Sequence, residues 1–259
     1  MKIAIQLFGH MRTYKQCYRA LFDNLISQYD CDVFIHTWDK IDHNTTVWHN
    51  YHVTSNDGPE KLKSDIINTY NPKKICMESQ NPVDMGCVTA NGYQISKFGI
   101  KSMLYGMSMA NDLRKQYQKE TGVEYDVVIV TRPDIILHKP LVLEKYIKPY
   151  LPKKSLYTVG SYKCRDIVND WRFIGASDVL FFATPDVMDN IFSNTDDIFQ
   201  QILNPDTTQY GPEYSFIYAI QNMGISVFLI NYLWRSGFEI LRPQTDKKTS
   251  WFGRIFKRK

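Results

Sequence analysis

One run constrains the fold of this chain more than any other. Residues 125–130 read YDVVIV, a β-branched stretch apolar on both faces. A strand without a polar face belongs in the middle of a sheet covered on both sides, and parallel sheets are the ones so covered. The run therefore predicts a central, parallel strand. It passes directly into Thr131-Arg132-Pro133-Asp134, so two charges arrive at its C-terminal tip, where open α/β sheets hold their ligands.

The N-terminal residues supply the start of such a sheet. Residues 2–7 (KIAIQL) form a buried strand ending at Phe8-Gly9, a backbone-permissive turn. Tyr14, Cys17, Tyr18, Leu21, Phe22, Leu25 and Ile26 then recur at helical spacing, and residues 31–37 (CDVFIHT) read as a second strand. This β-turn-α-β order is the entry of a Rossmann-like nucleotide-binding half. Residues 38–60 are polar and read as a long loop, followed by a helix at 60–69, a short strand at 74–77 and an irregular stretch at 78–92. Residues 94–120 predict a long helix closed by Gly122, its methionines filling core gaps. Further elements are expected as helices at 141–147, 185–192 and 211–223 and strands at 155–159, 178–183 and 225–230, with a polar loop running to Trp171. The fold class is α/β, a mixed, mainly parallel sheet flanked by helices. Residues 1–242 form one domain and 243–259 a tail.

Composition excludes several classes. Hydrophobic residues at 44% and charged residues at 22% suit a globular chain with its own core. The five cysteines (Cys17, Cys31, Cys76, Cys87, Cys164) are odd in number and never paired as C-x-x-C, which argues against a zinc site and a secreted disulfide framework. No segment approaches the roughly 20 apolar residues of a membrane span, and the apolar run at residues 3–8 is too short for a signal h-region, so export is not expected. A cytoplasmic location is expected. Net charge is +4 with no basic stripe within the fold, so nucleic acid is not an expected partner. G-x-S-x-G, H-E-x-x-H, P-loop and G-x-G-x-x-G motifs are all missing. His43, His49 and His52 lack the fixed spacing of a metal site.

The chemistry-bearing candidates gather at predicted strand ends. In extended geometry Arg132 and Asp134 point to the same side. Such a pair suits a diphosphate, the guanidinium on phosphate oxygens and the carboxylate on a bridging divalent ion, Mn2+ or Mg2+; the alternative is an intrastrand ion pair. Phe8, Gly9 and Arg12 follow strand one as a nucleotide-binding turn does. His36, Trp38 and Asp39 end strand two and face the same cleft, although Trp38 fits the core equally well. Asp178 follows the small residues Gly175, Ala176 and Ser177 and is placed to act as a general base; a turn-capping role is the alternative. Glu213, in the first turn of a helix behind Tyr210-Gly211-Pro212, is the rival catalytic carboxylate, though the helix dipole alone favours an acid there. Asp134→Ala is expected to abolish activity with the melting temperature nearly unchanged.

Taken in order, these segments resemble bacterial GT-A-type glycosyltransferases of capsule, O-antigen and lipooligosaccharide biosynthesis. The shared pattern is G-x-x-R-[TS]-[YF] (Gly9 to Tyr14), D-[VI]-F-[IV]-H-T-W (residues 32–38), Y-D-x-V-I-x-x-R-P-D (residues 125–134), [SN]-D-x-x-F-[FA]-[GA]-x-[PS]-x-x-M (residues 177–188) and a helix-opening Pro212-Glu213. The resemblance covers about residues 1–242. It implies a GT-A-like fold, a nucleotide-sugar donor with a UDP-sugar favoured, and a glycan or lipid-linked acceptor. R-x-D stands where most such enzymes have D-x-D, so Asp134 inherits the metal and Arg132 offers to neutralise the diphosphate itself. Two alternatives remain: a sugar nucleotidyltransferase using the same cleft, and a non-catalytic nucleotide- or glycan-binding part of a polysaccharide assembly complex.

The tail combines Trp251, Phe252, Ile255 and Phe256 with Lys247, Lys248, Arg254, Lys257, Arg258 and Lys259. Wound as a helix, its apolar residues share one face flanked by cations, an arrangement suited to the inner face of the cytoplasmic membrane. A solvated, frayed terminus is the alternative.

Overall fold

A computed structural model describes residues 1–42, 57–90, 92–147, 153–160, 176–204, 206 and 211–242. In chain order the elements are β1 (Lys2–Phe8), α1 (Tyr14–Asn24), β2 (Asp30–Trp38), α2 (Pro59–Tyr70), β3 (Lys74–Glu78), β4 (Cys87–Ala90), β5 (Tyr93–Ser96), α3 (Lys97–Thr121), β6 (Val127–Thr131), β7 (Ile135–Leu137), β8 (Ser155–Gly160), β9 (Ala176–Ala183), α4 (Pro185–Phe192), α5 (Thr195–Ile202), α6 (Pro212–Asn222), β10 (Ser226–Leu233) and β11 (Phe238–Ile240).

Apolar side chains on both faces of the strands dictate a three-layer arrangement. β1 sends Ile3, Ile5 and Leu7 into one core and Ala4 and Phe8 into the other; β9 does the same with Leu180 and Phe182 against Phe181 and Ala183. Helices α3 to α6 cover the face of Ala4 and Phe8 through residues such as Leu104, Met107, Ile191, Phe199 and Phe216, and α1 and α2 cover the face of Ile3, Ile5 and Leu7 through Tyr14, Leu21 and Ile66. Each large apolar side chain so buried contributes on the order of 1.5–3 kcal/mol. The one polar residue inside β1, Gln6, donates to Asn111 at 3.0 Å, and Asn111 donates to Asp189 at 2.8 Å. Arg114, 1% exposed, joins this network through Asn111 and Asp189 and ties α3 and α4 together.

The seven-stranded sheet has the order β10-β8-β9-β6-β1-β2-β3. β1, β2, β3, β6, β8 and β10 point one way and β9 the other. β6 is central as expected, but it is not purely parallel. It pairs in parallel with β1 and antiparallel with β9, Thr131 lying opposite Leu180. That reversal positions the site: the start of β9 lies at the same sheet edge as the C-terminal tip of β6.

Other departures have local causes. The stretch expected to be irregular contains the β4–β5 hairpin, whose turn includes Gly92 at φ 78, open to glycine at no steric cost. α3 begins at Lys97 because the Ser96 hydroxyl caps it, accepting from the Gly99 N–H at 3.2 Å. The expected helix at 141–147 is only a single 3-10 turn at Leu143–Lys145. The short strands β7 and β11 pair antiparallel outside the main sheet, and α5 buries Ile198, Phe199 and Ile202; none of the three was expected.

Candidate active site

The β6 tip delivers Asp134 into a cluster of arginines. Arg132 donates to both its oxygens, Nε to Oδ1 at 2.8 Å and an NH2 to Oδ2 at 2.8 Å. Arg12 reaches Oδ2 from the β1–α1 turn at 3.2 Å while its Nε donates to Asp42 at 2.8 Å. Arg242, just past β11, reaches the same oxygen at 2.6 Å. The side chain of Asp134 is 0% exposed, against 15% for Arg12, 20% for Arg132 and 22% for Arg242. The carboxylate is the floor and the guanidiniums form the rim. Burial alone would raise the Asp134 pKa, but Arg132, Arg12 and Arg242 outweigh it and hold the carboxyl well below the usual range. Burial, reinforced by Arg132, lowers Arg242 to about 9, still charged at neutral pH.

Each arginine has a local reason for its place. Gly9 takes φ 91, which favours glycine, and its N–H donates to the His36 carbonyl at 3.2 Å. Arg12 adopts φ 42, a left-handed conformation that costs an L-residue on the order of 1–3 kcal/mol; its two ion pairs offset that strain. The Thr13 hydroxyl donates to the Leu241 carbonyl at 2.8 Å, and the Leu241 N–H donates to the Asp134 carbonyl at 2.9 Å. The segment carrying Arg242 is thus pinned to both the β1 turn and the β6 tip. Arg242 escaped sequence reasoning because its partners are remote in sequence; the only signal was an arginine directly after a short apolar run, FEIL.

Beside the arginines lies a pair of carboxylates. Asp178 enters from the start of β9 and Glu213 from the first turn of α6, behind Pro212. Burial, reinforced by the Glu213 charge and opposed by Arg132, raises Asp178 from 3.8 to about 7. Glu213 is exposed at the first turn of α6, and partial desolvation of its carboxyl raises it as well. The two acids are close enough for the Glu213 charge to disfavour ionisation of Asp178, which suits Asp178 to accept a proton. The structure therefore brings together Arg12, Arg132, Asp134, Asp178 and Glu213.

The nucleotide-side candidates are divided. Phe8 is 4% exposed with its ring in the hydrophobic core, so its side chain is not a ligand contact and only its backbone reaches the edge. Trp38 is buried, stacked on Tyr105 at 6.0 Å. Asp39 accepts from the Ser79 hydroxyl through one oxygen, while the other is buried without a partner. It keeps an acceptor to offer at the end of β2. His10, not singled out from the sequence, bridges the Lys40 carbonyl at 3.0 Å and Gln80 at 3.2 Å.

The arginine cluster does not fit a divalent ion at Asp134. A metal needs a carboxylate oxygen with an open approach at about 2.0–2.6 Å, and both oxygens here accept from guanidinium N–H groups. A cation entering would also face three like charges. The melting-temperature expectation changes with it, because a fully buried carboxylate among cations cannot be removed without consequence. Among the described residues, His36, Cys76 and Glu78 bring ligand atoms within 4.8 Å of one another, but the His36 Nε2 is engaged with Glu78 at 2.7 Å. Cys17, Cys31, Cys76 and Cys87 are free thiols.

Neither the family models nor the curated proteins that were compared match the sequence. Among solved structures the chain is similar to a glycosyltransferase involved in the glycosylation of the major capsid of PBCV-1, with 9% identity, coverage of 89% of this chain and 81% of that one, and a TM-score of 0.38. Likeness at that level assigns no activity. No helix among the described residues is long and apolar enough to cross a membrane. His43, His49, His52, Cys164, Trp171, Gly175, Tyr210 and the tail 243–259 lie outside the described residues.

Proposed function

We propose that the chain is a GT-A-like glycosyltransferase that moves a sugar from a nucleotide-diphosphate donor, a UDP-sugar by preference, to a glycan or lipid-linked acceptor in cell-surface polysaccharide synthesis. One observation carries this reading: a partly exposed guanidinium rim and a carboxylate raised to about 7 share one sheet edge. Glycosyl transfer needs both, cations for the diphosphate leaving group and a base for the incoming hydroxyl.

In the proposed reaction Asp178 accepts the proton of an acceptor hydroxyl. The oxygen attacks the anomeric carbon as the bond to the diphosphate oxygen breaks, and the nucleoside diphosphate leaves with the bonding pair, its charge met by Arg132. Such a direct displacement inverts the anomeric centre. Glu213 sets the proton affinity of Asp178, Gly9 and Asp39 take the nucleoside side, and the tail 247–259 docks on an anionic membrane surface where a lipid-linked acceptor is met.

Incubating the protein with UDP-, GDP-, CMP- and dTDP-sugars and analysing the products tests this. Release of a nucleoside diphosphate with free sugar, lost in Asp178→Asn, is expected, and release of CMP alone would count against a diphosphate donor. Release of pyrophosphate instead would make the protein a nucleotidyltransferase, and no turnover of any donor would leave a binding role.

A further inference from the structure

The feature least explained by donor binding alone is the excess of cations. Three guanidiniums converge on the single carboxylate of Asp134; among the described residues Asp42 pairs with Arg12, and Asp178 lies within electrostatic reach of Arg132. Among the described residues, the cluster's hydrogen bonds account for only part of its donors. A guanidinium carries five N–H donors; Arg132 gives two to Asp134, Arg242 gives one, and the Arg242 Nε is buried without a partner. An assembly built only to hold the β6 turn has no use for a third arginine tied in through Thr13 and Leu241. Planar forks with spare parallel donors at a partly exposed rim suit bidentate recognition of phosphate.

We propose that this site holds a nucleoside diphosphate without any divalent cation, Arg132 and Arg242 donating to the phosphate oxygens. Asp134 is then a positioning residue. It occupies the floor, touches no ligand, and fans the guanidiniums outward so that their remaining donors face the phosphates. The R-x-D sequence inverts the D-x-D arrangement: the acid orients permanent cations instead of recruiting a diffusible one. This inference rests on the donor reading above.

Titration calorimetry of the full chain with UDP, GDP and inorganic pyrophosphate, in EDTA and in Mn2+ at fixed ionic strength, tests it. The preferred nucleoside diphosphate is expected to bind with affinities within about threefold in the two buffers. Arg242→Gln should weaken it at least tenfold while leaving the affinity for the bare nucleoside unchanged, and Arg242→Lys, which keeps the charge and loses the fork, should fall between. Melting curves of the unliganded variants confirm that they fold. Binding that requires Mn2+, or Arg242→Gln binding as tightly as the unaltered chain, overturns the inference and leaves the donor reading standing. No binding in either buffer overturns both.

Discussion

Asp178 links activity to stability with opposite signs. A base raised to about 7 must lose its proton to act, so kcat/KM is expected to climb with an apparent pKa near 7, and Asp178→Asn should be lower by about 10²–10⁴-fold. Glu213→Gln removes the neighbouring charge and should move the profile to lower pH; an unmoved profile would separate the two acids. For stability, the folded chain holds a proton that the unfolded chain releases near 3.8, so the native state loses ground as pH rises from there to about 7. Asp178→Asn should therefore melt higher than the unaltered protein at pH 8. Asp134 has the reverse sign. Its depressed pKa stabilises the fold above the unfolded carboxylate value, and the contribution is lost as pH falls. Asp134→Ala leaves three cations facing one another, and urea unfolding at pH 7 should show a loss of about 3–5 kcal/mol. The sequence pointed to Arg12, Arg132, Asp134, Asp178 and Glu213 as candidates because each lies beside a strand end or a helix start. The arginine partners of Asp134 were not legible, since two of the three are 122 and 108 residues away and a local motif cannot display such partners.

At the scale of elements, the site depends on a strand reversal and a short strand. β1, β2 and β6 were readable as predominantly apolar runs, and α1 and α3 because their helical periodicity is long enough to declare a period. β7 and β11 span three residues each, too short for any period, yet β11 leads Arg242 to the site. Their stability is testable at Gly237, where an added Cβ would lie 2.8 and 2.9 Å from the Tyr232 ring and 3.1 Å from the Leu233 nitrogen. Gly237→Ala should cost about 1–3 kcal/mol in unfolding and weaken UDP binding by shifting the approach of β11. Gly122→Ala, at φ 72 on the end of α3, should lower the melting temperature without changing UDP affinity. Equal effects of the two substitutions on UDP affinity would detach β11 from the site.

For the whole molecule, the mixed sheet collects the tips of β1, β2 and β6 with the start of β9 along one edge, so residues from four sequence segments meet there. The α/β class was legible in the double-faced apolar strands, whereas the direction of β9 was not, because a strand buried on both faces reads the same in either orientation. The tail is proposed as a membrane contact. Sedimentation with anionic phosphatidylglycerol vesicles should recover the full chain and not a chain ending at Arg242, and equal recovery of the two would remove that role. The central claim, that the guanidinium rim exists to hold a donor's diphosphate, is tested most directly by the structure of the protein crystallised with UDP in EDTA. The account predicts phosphate oxygens within about 3 Å of the Arg132 and Arg242 nitrogens, with Asp134 still beneath them. A diphosphate bound elsewhere, or one that displaces the arginines from Asp134, would contradict it.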